Sequence, residues 1–216
     1  PISAVRIFTS ETASNTYDLK ISYDTATNTY SASSETFAGL AGTAKAENLI
    51  GGAGVDLIYG NAGDDILAGG AGDDLLDGGV DEDVANYSDI SSDLTVNLGS
   101  ATEQATSSQS GTDTLIDIEN VVAGSGDDSL TGDGGSNTLV GGAGADRLDG
   151  GLGNDVLDGG AGDDAFVVSD GQDTIISGGG TDTLEVSADY TLKNMLVDSA
   201  TGDLQFVFTD DAQNEH

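Results

Sequence analysis

Large apolar residues recur at every ninth position along two long segments of the chain, and an acidic or amide residue stands two positions before each of them. Between Gly141 and Val167, three nine-residue units follow one another without a gap. Each has the form G-G-x-G-x-D-x-U-x, where U is a large apolar residue. A glycine-rich nine-residue period is the signature of a parallel β-helix. The pattern therefore predicts short strands with one inward U each, joined by glycine-rich loops.

The repeat fills two blocks, residues 42–86 and residues 123–185, which together hold twelve units and half of the chain. The sixth position is acidic in every unit but one, where an asparagine replaces the acid: Glu47, Asp56, Asp65, Asp74, Asp83, Asp128, Asn137, Asp146, Asp155, Asp164, Asp173 and Asp182. The eighth position is apolar throughout: Leu49, Ile58, Leu67, Leu76, Ala85, Leu130, Leu139, Leu148, Leu157, Phe166, Ile175 and Leu184. We expect successive units to stack and to bury the eighth-position side chains in one narrow core.

Residues 1–41 lie outside the repeat, and their apolar and polar positions alternate as in half-buried strands. We expect a short strand at residues 4–8, a second strand at residues 17–23, a turn at residues 24–28 and a returning strand at residues 29–33. This segment is predicted to be a β-rich N-terminal cap or the end of a preceding domain.

Residues 87–122 and residues 186–216 also lack the repeat. The first segment is predicted to be a β insert, with a strand at residues 93–98 and an exposed loop at residues 99–111 that is rich in Ser, Thr and Gln. The second is predicted to be a C-terminal β-hairpin cap and tail, because a repeat array needs an atypical end over its last coil. The expected fold class is all-β: a right-handed parallel β-roll, or β-helix solenoid, in two blocks with β-strand caps.

The chain carries 39 acidic residues against five basic ones, and its formal net charge is −34. This charge excludes nucleic acid and anionic membrane surfaces as partners, since both require a basic patch. Acidic chains with few aromatic residues tend to remain disordered, and we expect disorder of the ion-free chain. The regular placement of the acids indicates that the ion-loaded chain folds.

The repeat carries the donors of a calcium site. Its glycines let the backbone fold into a tight loop whose carbonyl oxygens converge, and the sixth-position Asp adds a charged oxygen. Ca²⁺ takes about six to eight oxygen ligands, whereas Mg²⁺ demands a stricter octahedron and keeps its waters. Zn²⁺ prefers nitrogen and sulfur, and the chain has no cysteine and one histidine. A bound metal would also supply the staple that no disulfide can provide here.

The repeat resembles that of the RTX (repeats-in-toxin) family, most specifically at residues 51–77 and 141–167. In that family two successive units make one turn of the roll, and Ca²⁺ lies between loops that are two units apart. The resemblance implies the carboxylate pairs Asp56–Asp74, Asp65–Asp83, Asp128–Asp146, Asp146–Asp164, Asp155–Asp173 and Asp164–Asp182, with weaker pairs at Glu47–Asp65 and Asn137–Asp155. It implies carbonyl ligands at Gly52, Gly54, Gly63, Gly70, Gly72, Gly142, Gly144, Gly151, Gly153, Gly160 and Gly162. About five to eight Ca²⁺ ions are expected on this basis.

The resemblance also implies export from a Gram-negative bacterium by the type I secretion machinery, as an unfolded chain that folds on meeting external calcium. The expected location is outside the cell or at its surface. No apolar run is long enough to cross a bilayer, so we expect no membrane insertion by this segment. The expected partners are Ca²⁺, the secretion machinery and a host or surface ligand bound through other domains.

The activity of the parent protein stays open between several classes. The segment has no cysteine nucleophile and no G-x-S-x-G elbow, so we expect that it is not an enzyme. It fits the calcium-folded part of an adhesin or a toxin-like protein. The alternatives are the C-terminal secretion and folding domain of a secreted protease, lipase or epimerase, and a ligand-binding adhesin module.

Overall fold

The computed structural model describes residues 20–24, 29–33, 37–100, 105–169, 171–186, 190–197 and 204–210. The first strands in chain order are β1 (Lys20–Asp24), β2 (Thr29–Ser33), β3 (Phe37–Ala41), β4 (Asn48–Ala53), β5 (Val55–Ala62), β6 (Ile66–Ala71), β7 (Leu75–Val80), β8 (Val84–Asn86), β9 (Leu94–Asn97), β10 (Ala105–Ser107) and β11 (Gly111–Ile116). They are followed by β12 (Asn120–Val122), β13 (Ser129–Thr131), β14 (Thr138–Ala143), β15 (Arg147–Asp149), β16 (Val156–Ala161), β17 (Ala165–Val168), β18 (Thr174–Ile176), β19 (Thr183–Val186), β20 (Tyr190–Val197) and β21 (Leu204–Asp210). These ranges contain no helix, and so none that could cross a membrane. The strand predicted at residues 4–8 lies outside them.

The chain divides into two compact units. Unit 1 comprises residues 1–87 and 102–118, and unit 2 comprises residues 88–101 and 119–216. The segment between the two repeat blocks is therefore divided between both units.

Unit 1 is a parallel β-roll made of two sheets. One sheet has the strand order β1-β2-β4-β6-β8, and the other has the order β10-β11-β7-β5-β3. Consecutive repeat strands fall in opposite sheets, and strands two apart pair in parallel, as β4 does with β6 and β5 with β7. The pairs β1–β2 and β10–β11 are antiparallel. Two units per turn are therefore observed, as the resemblance implies.

Unit 2 repeats this architecture. Its sheets have the orders β12-β14-β16-β18-β21-β20 and β19-β17-β15-β13-β9, and the repeat strands pair in parallel. Strands β20 and β21 form the C-terminal hairpin that the alternating pattern predicts, and β21 pairs antiparallel with β18. The all-β parallel roll is thus confirmed for each unit.

The eighth-position side chains stack in apolar columns, because strands of one sheet are separated by two units, or 18 residues. In unit 2, Leu130, Leu148 and Phe166 occupy equivalent places on neighbouring strands, and each is at most 1% exposed. Burying a side chain of this size contributes about 1.5–3 kcal/mol. The other columns are Leu49, Leu67 and Ala85; Leu40, Ile58, Leu76 and Leu115; and Val121, Leu139, Leu157 and Ile175.

The core extends beyond the two repeat blocks. Leu40 is buried and aligns with Ile58, so the roll extends to residues before 42, and Ala38 stands where the repeat has its acid. From the segment between the blocks, Val96 joins the column of Leu130. Leu115 joins the column of Leu76.

The segment at residues 99–111 differs from the exposed loop that its composition predicts. Ala105, Ser107 and Ser110 are buried, and residues 105–107 form β10. Strand β10 pairs with β11, and β11 pairs in parallel with β7. This segment therefore belongs to the roll, although its polar side chains are typical of a surface loop.

Leu148 should be essential to the stacking of unit 2. We expect Leu148→Ala to lower the free energy of unfolding by about 2–5 kcal/mol in saturating calcium, since the roll cannot close the cavity. Leu152→Ala is the matched control, because Leu152 is 56% exposed, and its cost should stay below about 0.5 kcal/mol. Thermal or urea unfolding gives both values; equal values would reject the inward assignment of Leu148.

Candidate metal centre

The glycine-rich loops stack in register with the loops 18 residues away. Gly52 aligns with Gly70 in unit 1, and Gly142 aligns with Gly160 in unit 2. Within each stack, equivalent loops therefore face one another, so that a sixth-position carboxylate and a set of carbonyls recur in most layers.

Two different constraints explain the glycines. Most second- and fourth-position glycines adopt left-handed backbone, as Gly142 (φ 103°) and Gly144 (φ 138°) do, and side-chain-bearing residues rarely enter this region. A Cβ atom on Gly144 would also overlap the carbonyl oxygen of Gly126 in the neighbouring loop. At the first position, a Cβ atom on Gly141 would overlap the carboxylate of Asp146. Glycine is thus required both for the turn and for room beside the acid.

Degenerate positions keep this loop geometry with residues that tolerate it. Asn61 (φ 79°) and Asp81 (φ 82°) adopt left-handed backbone where the repeat has glycine. Asn and Asp enter this region more readily than other side-chain-bearing residues. The Asp81 carboxylate also accepts a hydrogen bond from the Gly63 N–H at 3.0 Å.

The sixth-position acids form what we call the inner ladder. In eight of them, one carboxylate oxygen accepts a hydrogen bond from the backbone N–H of the sixth-position residue 18 places earlier, at 2.7–3.1 Å. Asp146, for example, accepts from Asp128 and donates its own N–H to Asp164. The ladder joins all the carboxylate pairs that the resemblance implies. These acids are buried, apart from the half-buried Asp182.

In six of these carboxylates the second oxygen is buried without a donor among the described residues. In Asp65, Asp74, Asp146, Asp155, Asp164 and Asp173 the Oδ2 atom has no hydrogen-bond partner among the described residues. A buried polar atom that loses water without gaining a partner costs about 1–3 kcal/mol, and more when it is charged. Six such atoms in one small structure call for compensation, which a bound cation would supply.

The donor set fits calcium. Among the described residues, no three acidic or histidine side chains converge on one point, so a cation must draw most of its ligands from carbonyl oxygens. The loops supply these: the carbonyl oxygens of Gly54, Gly142 and Gly144 lie against the glycine backbone of the next loop. Carbonyls combined with one or two carboxylates are ligands that Ca²⁺ accepts in flexible geometry.

Burial raises the pKa of the inner-ladder carboxyls, because the ionised form loses its water. The pKa rises to about 7 in Asp65, Asp74 and Asp173, and to about 6 in Asp146 and Asp155. The backbone N–H bonds offset part of this increase, and neighbouring acids add to it. In the absence of a cation, part of the ladder is therefore protonated at neutral pH.

Asn137 changes one layer of the ladder. Its Nδ2 donates to the carbonyl oxygen of Glu119 at 2.8 Å, while its Oδ1 accepts from the Asp133 N–H at 2.9 Å. Both ends of the amide are therefore satisfied within the protein, and no charge is added. This agrees with the weaker role that the resemblance gives to the Asn137–Asp155 pair.

The fifth position carries a second ladder that the sequence analysis missed. Exposed side chains of Asp64, Asp73, Asp127, Asn154 and Asp163 accept hydrogen bonds at 2.7–3.2 Å from backbone N–H groups of the next stacked loop. The acceptor is the earlier residue here and the later residue in the inner ladder. The recurring Asp-Asp and Asn-Asp pairs were the sequence signal for this ladder. One ion site needs only the sixth-position Asp, so a second polar residue beside it indicates another role.

A family model described as RTX calcium-binding nonapeptide repeat (4 copies) matches residues 41–85, 113–148, 122–157, 131–166 and 158–189. Together these matches cover more than half of the chain. This repeat is a structural calcium-binding module and not a catalytic one. A search of curated proteins gives no match.

Loss of the Asp146 carboxylate should raise the calcium concentration that folding requires. We expect Asp146→Ala to increase the calcium concentration at half-folding several-fold, because the inner ladder places this carboxylate between Asp128 and Asp164. Asp89→Ala removes the same charge from an exposed residue outside the repeats and should leave the midpoint unchanged. Far-UV circular dichroism during a calcium titration measures both; identical curves for Asp146→Ala and the parent would exclude the pairing.

Acidification should favour the ion-free fold. Because the folded-state pKa of Asp65, Asp74 and Asp173 is about 7, against an ordinary value of 3.8, the folded state binds more protons than the unfolded state between these values. The ion-free chain should therefore gain β signal as the pH falls from 8 to 5. In saturating calcium the signal should stay constant from pH 8 to 6. Loss of ion-free β structure on acidification would contradict this sign.

Proposed function

Because the chain belongs to the family of RTX calcium-binding nonapeptide repeats, we propose that it is a module whose folding is triggered by extracellular Ca²⁺. The observation that carries this proposal is the row of buried Oδ2 atoms in the inner ladder, which have no hydrogen-bond partner among the described residues. Binding of a cation to such a row converts binding free energy into folding free energy.

The balance of charge supports a switch. A formal net charge of −34 on 216 residues opposes compaction by self-repulsion. The apolar columns are only one side chain wide, so their burial contributes too little free energy to offset the repulsion between the carboxylates. Each Ca²⁺ removes two charges and one or more unmatched oxygens, so folding should follow calcium concentration steeply.

The ions would be held by the inner-ladder carboxylates together with the glycine carbonyls of the loops. In unit 1 the carboxylates are Asp56, Asp65, Asp74 and Asp83, and in unit 2 they are Asp128, Asp146, Asp155, Asp164, Asp173 and Asp182. Asn137 contributes a neutral oxygen. About five to eight ions fit this number of layers.

The biological setting that we propose is type I export from a Gram-negative bacterium. A chain that stays unfolded at low calcium can pass a secretion channel, and it folds outside, where calcium is abundant. The module would then stabilise a larger exoprotein, an adhesin or a toxin-like protein, at the cell surface or in the medium. Chemistry and ligand binding would reside in other parts of that protein.

A calcium titration followed by far-UV circular dichroism tests the proposal, with magnesium at equal ionic strength as the control. We expect a cooperative gain of β signal at roughly 10⁻⁴ to 10⁻³ M calcium, the range of extracellular modules, and none with magnesium. A chain that is folded without either ion, and indifferent to both, would overturn the proposal and leave a purely structural solenoid.

A further inference from the structure

Residues 108–116, with the sequence SQSGTDTLI, occupy the place of one more repeat unit in unit 1. Strand β11 aligns Leu115 with Leu76 in the apolar column, and Leu115 is buried. Gly111 adopts the left-handed backbone of a fourth-position glycine (φ 94°) and lies against the Gly72 carbonyl. The two glycines that open a regular unit are absent, and the spacing from the preceding coil is 39 residues instead of 18.

Both ladders continue into this coil. The Asp74 N–H donates to Asp113 Oδ1 at 2.9 Å, as in the inner ladder. The Thr112 N–H donates to Asp73 Oδ1 at 3.0 Å, as in the fifth-position ladder. Asp113 is therefore the sixth-position acid of a unit that the nine-residue period does not reveal.

Asp113 differs from the other ladder acids at its second oxygen. Its Oδ2 atom accepts a hydrogen bond from the Tyr87 hydroxyl at 2.9 Å, whereas Oδ2 of Asp65 and Asp74 in the same unit has no partner among the described residues. Tyr87 is 3% exposed and Asp113 is fully buried. Burial and the charge of Asp113 raise the pKa of Tyr87 well above its ordinary value.

The loop of this coil is closed by its own side chains. Ser107 Oγ accepts the Ser110 N–H at 2.8 Å and the Gln109 N–H at 3.2 Å, and it shares a 2.8 Å hydrogen bond with the Ser110 hydroxyl. Ser107 and Ser110 are buried. Hydroxyl groups thus organise the turn that glycines and an ion organise elsewhere.

We propose that the Tyr87 hydroxyl replaces a calcium ion at Asp113, so that this residue determines where the row of ions in unit 1 ends. The inference rests on the proposed function, because it concerns which layers of the roll take an ion. A neutral donor satisfies the last buried oxygen without a further cation. The coil of residues 108–116 is then closed without calcium, while the layers containing Asp65 and Asp74 depend on it.

Counting bound calcium tests the inference, by equilibrium dialysis of the full chain in saturating calcium followed by elemental analysis. Asp113→Asn preserves the shape of the side chain and a partner for Tyr87, and the calcium count should equal that of the parent. Asp155→Asn, the matched control in a regular layer, should lose about one ion per chain. Tyr87→Phe frees Asp113 Oδ2 and should gain about one ion per chain.

If the parent chain binds calcium, two results would overturn the inference: a calcium count lowered by Asp113→Asn, or a count unchanged by Tyr87→Phe. Where Tyr87→Phe does not fold, the Asp113→Asn arm decides alone. A parent chain that binds no calcium would overturn the proposed function and this inference with it. Loss of an ion in Asp113→Asn with normal binding by the parent would overturn the inference alone.

Discussion

The structure depends on a buried carboxylate that the protein satisfies only on one side. In acids such as Asp146 and Asp155, one carboxylate oxygen accepts a backbone N–H from the neighbouring coil, while the other has no donor among the described residues. The bonded side fixes the register of the coils. The buried oxygen without a donor raises the free energy of the folded state unless a cation binds it. Under the proposed function, folding and ion binding would therefore be one event.

Other features of the chain follow from this requirement. The first-position glycine leaves room for the carboxylate, and the left-handed glycines turn carbonyl oxygens toward the next loop. The eighth-position side chain, two places after the acid, lies on the following strand and stacks in an apolar column of its sheet. Because every unit satisfies the same conditions, the sequence becomes periodic, and the period is readable without a structure.

The limits of that reading are physical. The stacking of Leu130, Leu148 and Phe166 could be predicted because a strict period places them in one column. The place of Leu40 in a column could not be predicted, because no glycine or acid stands at the repeat positions of its unit. The coil around Asp113 could not be predicted, because it lacks the opening glycine pair and the regular spacing. Only the parallel pairing of β11 and the hydrogen bond from the Tyr87 hydroxyl reveal it. Contacts between residues 26 or 39 places apart leave no trace in a nine-residue pattern.

The direction of the inner ladder gives each coil a polarity. Toward its N-terminal neighbour a coil presents a sixth-position carboxylate, and toward its C-terminal neighbour it presents the N–H group that such a carboxylate accepts. The two faces of an uncapped stack would be complementary, and identical stacks could join head to tail into filaments. In unit 2, strand β21 runs antiparallel along β18 and so occupies the edge of that strand, where a further parallel coil would otherwise pair.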